Sequence, residues 1–240
     1  MLIDAYIPAR GGSKRVKGKN TRVLCGQPLI AYTIAAALES RAFRHVFVTS
    51  DDWKTLVVGE AYGAEIHQRS KESATDKARD IDWLREVLDA SDGKADAFCI
   101  LRPTSPFRTA GTICEAVMKF ESDPYATGLK GLVQTPPPGK MWFQHGEYIK
   151  PLINYPLFDG QPAYNCPSQV LPVGYKQNSA IDIGILRNVN IRGDIYGERI
   201  LPFYMSPWES VDINDEIDFL WAEFLVKEGI ARLPEIREAK

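Results

Sequence analysis

Short β-rich runs alternate with helix-period runs across the first two-thirds of this 240-residue chain, and that alternation narrows the fold more than any other feature. A strand that is followed by an amphipathic helix returns to a neighbouring parallel strand, so the pattern predicts a parallel sheet covered by helices on both faces. Strands are expected at 2–7, 45–49, 64–67, 97–101 and 131–134. Between them, 28–40 is an apolar-rich helix with Pro28 at its start, and 53–62 ends at Gly63, a natural left-handed cap. The 79–90 run places Ile81, Leu84, Val87 and Leu88 on one face, and 109–120 opens on a capping threonine, Thr109.

From Thr135 the pattern changes. Pro136, Pro137, Pro138 and Gly139, several aromatics and many turn residues interrupt the alternation until about Tyr175, which predicts an excursion from the sheet. Strands are expected again at 180–186 and 200–204, and a helix at 214–228 with Ile217, Leu220, Trp221, Phe224 and Leu225 on its core stripe. There is no internal repeat or low-complexity tail, so the reading is one domain over 1–240 with an inserted arm at about 135–180.

A formal net charge of -2 argues against a nucleic-acid partner, which would show as a strongly basic domain or stripe. No apolar run is long enough to cross a bilayer, so no membrane association is expected and the cytoplasm is the expected location. Cys25, Cys99, Cys114 and Cys166 are spread without a CxxC pair, and His45, His67 and His145 are equally scattered. Buried free thiols, rather than a disulfide framework or a zinc site, are the expectation.

Any anion site must therefore be local, and the sequence offers one. Directly after the first strand, residues 7–20 read IPARGGSKRVKGKN. In an α/β sheet that is the carboxyl end of a strand, where ligands bind. Glycines let backbone N–H groups approach a polyphosphate, and clustered Arg and Lys supply charge-assisted bonds to its oxygens. The loop is not a Walker A loop: Gly12 stands six rather than five positions before Gly18, and Asn20 replaces the Ser/Thr. It also lacks GxGxxG, which removes the main support for a dinucleotide-dependent enzyme.

The segment resembles the N-terminal signature of the acylneuraminate cytidylyltransferase family, in which IPAR is followed by SK and then KN. Three more collinear segments extend the resemblance: Val48-Thr49-Ser50-Asp51, the run LRPTSPFR at 101–108, and Ser210-Val211-Asp212-Ile213-Asn214. The resemblance implies that Arg10, Lys14 and Lys19 hold the triphosphate, with Ala9, Gly11, Ser13, Asn20, Arg102 and Pro103 also at the nucleotide. It implies an acceptor site drawing on Arg102, Thr104, Ser105, Lys140, Gln169, Lys176 and Asn178. Arg10, Lys19 and Asp212 are the expected catalytic residues, and Mg²⁺ the expected cofactor.

Asp212 leads as the magnesium ligand, because Mg²⁺ takes a few hard oxygens and leaves its other positions to phosphates and water. The family's motif there is Asp-x-Asp, whereas this chain has Asp212-Ile213-Asn214, so Asn214 reads either as a second ligand or, like Asp215, as the cap of the last helix. Asp51 and Asp52 read equally as turn formers or as helpers of a nucleotide or metal site. The 73–76 stretch, SATD, resembles a short segment near the nucleotide. Two further departures concern the acceptor: Arg102 stands where the family carries Gln, and Ser168 where it carries Arg. Losing that arginine removes a bidentate carboxylate clamp, and Arg102 either restores the charge from another side or marks a different base or sugar.

The expected molecule is thus α/β, a Rossmann-like, predominantly parallel sheet with helices on both faces and a small dimerisation and acceptor-pocket excursion. Its expected activity is Mg²⁺-dependent transfer of CMP from CTP to an acidic, nonulosonic-acid-like sugar with release of pyrophosphate, in a homodimer. The alternatives are a nucleotidyltransferase using GTP or another NTP with a sugar 1-phosphate or other acceptor, and a non-catalytic nucleotide-sugar-binding protein.

Overall fold

The computed structural model describes residues 1–153 and 160–236, so part of the expected arm and the last four positions lie outside the described residues. In chain order the elements are β1 (Ile3–Pro8), a small hairpin of β2 (Val23–Leu24) and β3 (Gln27–Pro28), α1 (Leu29–Ser40), β4 (Val46–Ser50), α2 (Trp53–Ala61), β5 (Glu65–Gln68) and α3 (Asp80–Ala90). They continue with β6 (Ala97–Ile100), α4 (Ala110–Glu121), β7 (Gly128–Thr135), β8 (Trp142–His145), β9 (Tyr148–Pro151), β10 (Gly174–Ile185), β11 (Ile200–Tyr204) and α5 (Glu216–Lys227). No helix among the described residues is long and apolar enough to cross a membrane.

Seven strands form one sheet in the order β11-β7-β10-β6-β1-β4-β5. β1 runs parallel to both β4 and β6, β4 to β5, and β11 to β7; only β10 is antiparallel to its two neighbours, β6 and β7. Because the chain moves outward from β1 through β4 to β5 and then crosses back to β6, the strand order reverses between β1 and β6. Their carboxyl ends flank the crevice where open α/β sheets bind ligands.

The two-residue period of β1 divides the core. Ile3, Ala5 and Ile7 pack with Ile30 and Ile34 of α1, Leu56 of α2 and Ile113 and Phe120 of α4. Tyr6 faces the other way, with Phe98 and Ile100 of β6, onto Ile81, Trp83, Leu84 and Val87 of α3. A third cluster joins Phe219, Ala222 and Leu225 of α5 to Val16, Leu24, Tyr32 and Phe107, which pins the basic loop and the last helix together. Helix starts are set locally: Asp52 accepts from the Thr55 N–H, and Thr109 from the Thr112 N–H.

Three expectations needed correction. The last helix begins at Glu216 with Asp215 as its cap, accepting from the Ile217 and Asp218 amides, so Asn214 does not cap it. Of its expected core stripe only Leu225 is buried, with Phe219 and Ala222; the other four face outward, Ile217 being 75% exposed, Leu220 62%, Trp221 47% and Phe224 46%. An apolar-all-round helix offers two stripes of the same period, and the sequence gives no way to tell which one the core takes. Among the cysteines, Cys99 and Cys166 are buried, but Cys25 is exposed.

The excursion is also shorter than its sequence suggested, because β7 reaches Thr135 and β10 starts at Gly174. Turn-type residues hid this pairing. Between the pairs Gln177–Leu132 and Asp182–Lys130, Gly131 alone stands opposite residues 178–181, and the strand bulges. Gly131 has no room for a side chain there: a Cβ would lie 2.5 Å from Asn178 Oδ1. Beyond the ribbon, β8 and β9 form an exposed hairpin, and Ala163, Cys166 and Leu171 make a small separate cluster.

Candidate active site

The β1–β6 crevice holds a cavity of about 380 Å³. Arg10, Lys14, Arg15, Lys19 and Arg102 line it against a single carboxylate, Asp76, together with Ser13, Asn20, Pro103, Thr104 and Asn214. Five cations facing one anion make it an anion site even though the whole chain is slightly acidic.

The loop is built to hold that charge. Ala9 continues β1 by donating its N–H to the Thr49 carbonyl at 2.9 Å. Gly11 donates to Asp51 Oδ1 at 2.9 Å, and a Cβ on it would collide with the Asp52 side chain at 2.5 Å. Asp51 therefore braces the loop and Asp52 caps α2. Gly18 sits at φ 63 and starts the tight turn that carries Lys19. Asn20 is buried and gives its amide to the Arg10 carbonyl at 3.0 Å, closing the loop on itself.

Lys19 projects inward and donates to the Ile213 carbonyl at 2.8 Å. Burial pulls its ammonium below the ordinary lysine value, against the attraction of nearby Asp212. Ile213 in turn donates its N–H to the Thr104 carbonyl at 2.8 Å, so the basic loop, the β6–α4 turn and the start of α5 meet at one point. Arg22 adds a tie, reaching Glu216 at 2.6 Å and lying 4.3 Å over the Phe219 ring.

Asp76 is the site's internal anion, 2.6 Å from Arg10 and 2.5 Å from Lys14, and these cations hold its carboxyl below the usual range. The SATD stretch named from the sequence thus reaches the nucleotide cavity through its last residue. Arg102 also has a partner, Asp80, through two guanidinium nitrogens. Burial would raise the Asp80 pKa, but Arg102 outweighs it and the net direction is down. Beneath this turn the fully buried Arg108 donates to the Ala180 carbonyl and to Thr33 Oγ1, fastening the turn to the β10 bulge.

Other expected residues lie elsewhere. Asp212 lines a neighbouring pocket with Lys176 and Asn178, and Asn214 is shared between the two cavities. Asn178 is buried and engaged internally, donating to Ser210 Oγ at 3.0 Å and accepting from the Ala180 N–H. Ser105 is buried beneath the turn. Lys140, which donates to the Tyr164 carbonyl at 2.9 Å, and Gln169 both belong to the arm.

The Asn214 amide nitrogen donates to Asp212 Oδ2 at 2.8 Å while its Oδ1 receives Arg15 at 3.4 Å. No cluster of three or more His, Cys, Asp or Glu side chains suited to a metal occurs among the described residues. One carboxylate and one amide oxygen suit Mg²⁺, which takes most of its remaining ligands from phosphates and water.

Sequence reasoning passed over Asp80, and also Arg69. The latter guanidinium is buried, donates to the Thr49 carbonyl, lies 5.2 Å over Trp83 and is lowered to about 10 by burial. A single arginine after a short strand carries no motif; its burial is visible only once α3 packs.

Residues 5–145 match the family model described as cytidylyltransferase. The chain is 35% identical to the CMP-N,N'-diacetyllegionaminic acid synthase of Legionella pneumophila, covering 95% of this chain and 97% of that protein. It is 34% identical to the N-acylneuraminate cytidylyltransferase of Escherichia coli O18:K1:H7 over 90% of its length, and spans 50% of that longer relative. A solved CMP:2-keto-3-deoxy-manno-octonic acid synthetase, complexed with CTP, shares the fold with a TM-score of 0.69 at 17% identity, covering 95% of this chain and all of that one.

Proposed function

The chain belongs to the cytidylyltransferase family, a family of nucleotidyltransferases, and on that premise we propose that it transfers CMP from CTP to an acidic, nonulosonic-acid-like sugar, releasing pyrophosphate. The observation that carries the reading is the cluster of five cations at the β1–β6 crevice. Arg10, Lys14 and Lys19 hold the triphosphate, which displaces Asp76 from the first two. A hydroxyl of the sugar attacks the α-phosphorus in line, the new O–P bond forms as the bond to the β-phosphate oxygen breaks, and pyrophosphate leaves. No covalent enzyme intermediate is needed. Lys19 neutralises charge on the departing oxygens in a site where burial strengthens it.

Asp212, with Asn214 beside it, is the proposed holder of Mg²⁺, which when bound supplies Lewis-acid neutralisation of the phosphates. We also propose that residues 1–240 form one catalytic domain with an arm, that the enzyme works in the cytoplasm, and that it is a homodimer. The last point is supported by the arm, whose β8–β9 hairpin exposes Trp142, Phe143, Tyr148 and Ile149, and by a second apolar face, Ile217, Leu220, Trp221 and Phe224, on α5.

The test is pyrophosphate release across the four NTPs, with N-acetylneuraminic and N,N'-diacetyllegionaminic acids as acceptors, with and without Mg²⁺. CTP should be preferred, and Lys19→Ala and Asp212→Ala should each lower kcat by roughly 10²-fold or more with the fold retained. A preference for GTP would overturn the cytidylyl assignment, and near-normal rates in both variants would overturn the site.

A further inference from the structure

Among the described residues a single carboxylate, Asp76, lines the nucleotide cavity, and two of the cavity's cations, Arg10 and Lys14, are engaged with it. Of the other cations, Lys19 and Arg15 engage neutral oxygens, those of Ile213 and Asn214, and Arg102 is held by Asp80 outside that lining. Asp76 therefore occupies, with its own negative charge, the two side chains that reach furthest toward an incoming phosphate.

The stretch that carries Asp76 is fastened at its two ends. At one end the Arg69 N–H donates to the Ser50 carbonyl at 3.0 Å, and the Ser70 and Ser73 hydroxyls donate to Glu86 of α3 at 2.6 and 2.9 Å. At the other, Arg79 pairs with Asp82 at 2.9 Å. Between them the Ala74 N–H, the Ala78 N–H and the Thr75 hydroxyl reach the carbonyls of Lys71, Thr75 and Glu72 respectively, all within the stretch. Among the described residues, the hydrogen bonds and ion pairs that tie 74–78 to another part of the chain are those of Asp76 to Arg10 and Lys14. Both pairs are exposed, so each is weak, and a polyanion that meets several cations at once outcompetes one carboxylate. A tethered carboxylate nevertheless never diffuses away, and its local concentration stays high.

We propose that Asp76 is an exchangeable anion of the site, leaving Arg10 and Lys14 when the triphosphate enters and returning to them to expel pyrophosphate. The proposal rests on the cytidylyltransferase reading above. Once CMP has moved to the acceptor, the former β- and γ-phosphates still lie on the cations that held them in CTP. As a phosphate oxygen lets go of Arg10 or Lys14, Asp76 takes the vacated N–H, so pyrophosphate leaves by an exchange of partners, one cation at a time.

The experiment titrates inorganic pyrophosphate, without metal, into the wild type, Asp76→Asn and Asp76→Glu by calorimetry, and follows its dissociation by a rapid-mixing chase. Asp76→Asn should bind pyrophosphate about three- to tenfold more tightly, with dissociation slowed by a similar factor. Asp76→Glu keeps the anion and should stay within about twofold of wild type. In a Lys14→Met background Asp76→Asn should gain less, because one of its two partners is gone.

Asp76 is exposed, so its variants should fold, and a tighter complex is a result that mere damage to the site does not give. Equal or weaker pyrophosphate binding in Asp76→Asn overturns the exchange. So does an equal gain in the Lys14→Met background, which would make Asp76 a general repulsive charge. A gain carried wholly by faster association overturns the expulsion step. Turnover of CTP with N,N'-diacetyllegionaminic acid is assayed separately. Turnover with unchanged pyrophosphate binding in Asp76→Asn leaves the activity and removes the exchange, whereas slowed dissociation with no wild-type turnover on any NTP leaves the exchange and removes the activity. A wild type that binds no pyrophosphate overturns both.

Discussion

Lys19 is pulled in opposite directions, since burial favours the neutral amine while Asp212 and any bound triphosphate favour the ammonium. In the free enzyme burial wins, so the positive charge is lost at a lower pH than for an ordinary lysine. Because kcat/KM reports the free enzyme, its alkaline limb for CTP should fall as pH rises through the Lys19 pKa. Lys19→Arg should retain measurable activity and move that limb upward, because a guanidinium stays charged throughout the accessible range. A pH–rate profile from about pH 7 to 11 makes the comparison, and an unmoved limb would show that another group titrates. Lys19 could be singled out from its place in a basic loop after a strand. The pairings of Asp76 with Arg10 and Lys14, and of Asp80 with Arg102, span long stretches of chain and no local pattern announces them.

Helix α5 shows how one element fixes the site from outside it. Its capping residue, Asp215, accepts from two amides, and Asp218 in return accepts from the Asn214 and Asp215 N–H groups. This reciprocal cap holds the 212–214 segment against Lys19. Asp215→Ala should cost about 1 kcal/mol and lower Tm by about 2–4 °C for a chain of this size, readable by calorimetry. It should also raise the Mg²⁺ concentration needed for half-maximal rate, since Asp212 loses its frame; unchanged metal dependence would separate the cap from the site. The strands of β1, β4 and β6 were legible because buried parallel strands are short apolar runs. Of the β7–β10 ribbon only 131–134 and 180–186 were legible; its outer lengths were hidden because Gly128, Gly174 and Asn178 are poor strand formers that tertiary packing overrides.

At the scale of the whole molecule, the exposed apolar face of α5 is a second surface, besides the β8–β9 hairpin of the arm, that calls for a partner. A second copy of the chain is the proposed one. Light scattering should give twice the chain mass for the wild type, and Leu220→Glu combined with Phe224→Glu should give the single-chain mass. Both positions are exposed in the monomer, so the double variant should keep its fold and its far-ultraviolet circular dichroism. A wild type that is monomeric at micromolar concentration would sink the proposal.

The sequence alone determined the α/β alternation, most helix starts and the basic loop at 7–20, because periodicity, capping residues and glycine spacing are local properties. Its collinear motifs also identified the family. Only the tertiary structure decided which stripe of α5 is buried, that Asp215 rather than Asn214 caps it, and that Arg102 is already paired. It also revealed Asp76 between Arg10 and Lys14. Each of these depends on which distant segments meet, and burial and charge pairing between such segments leave no periodic trace in the chain.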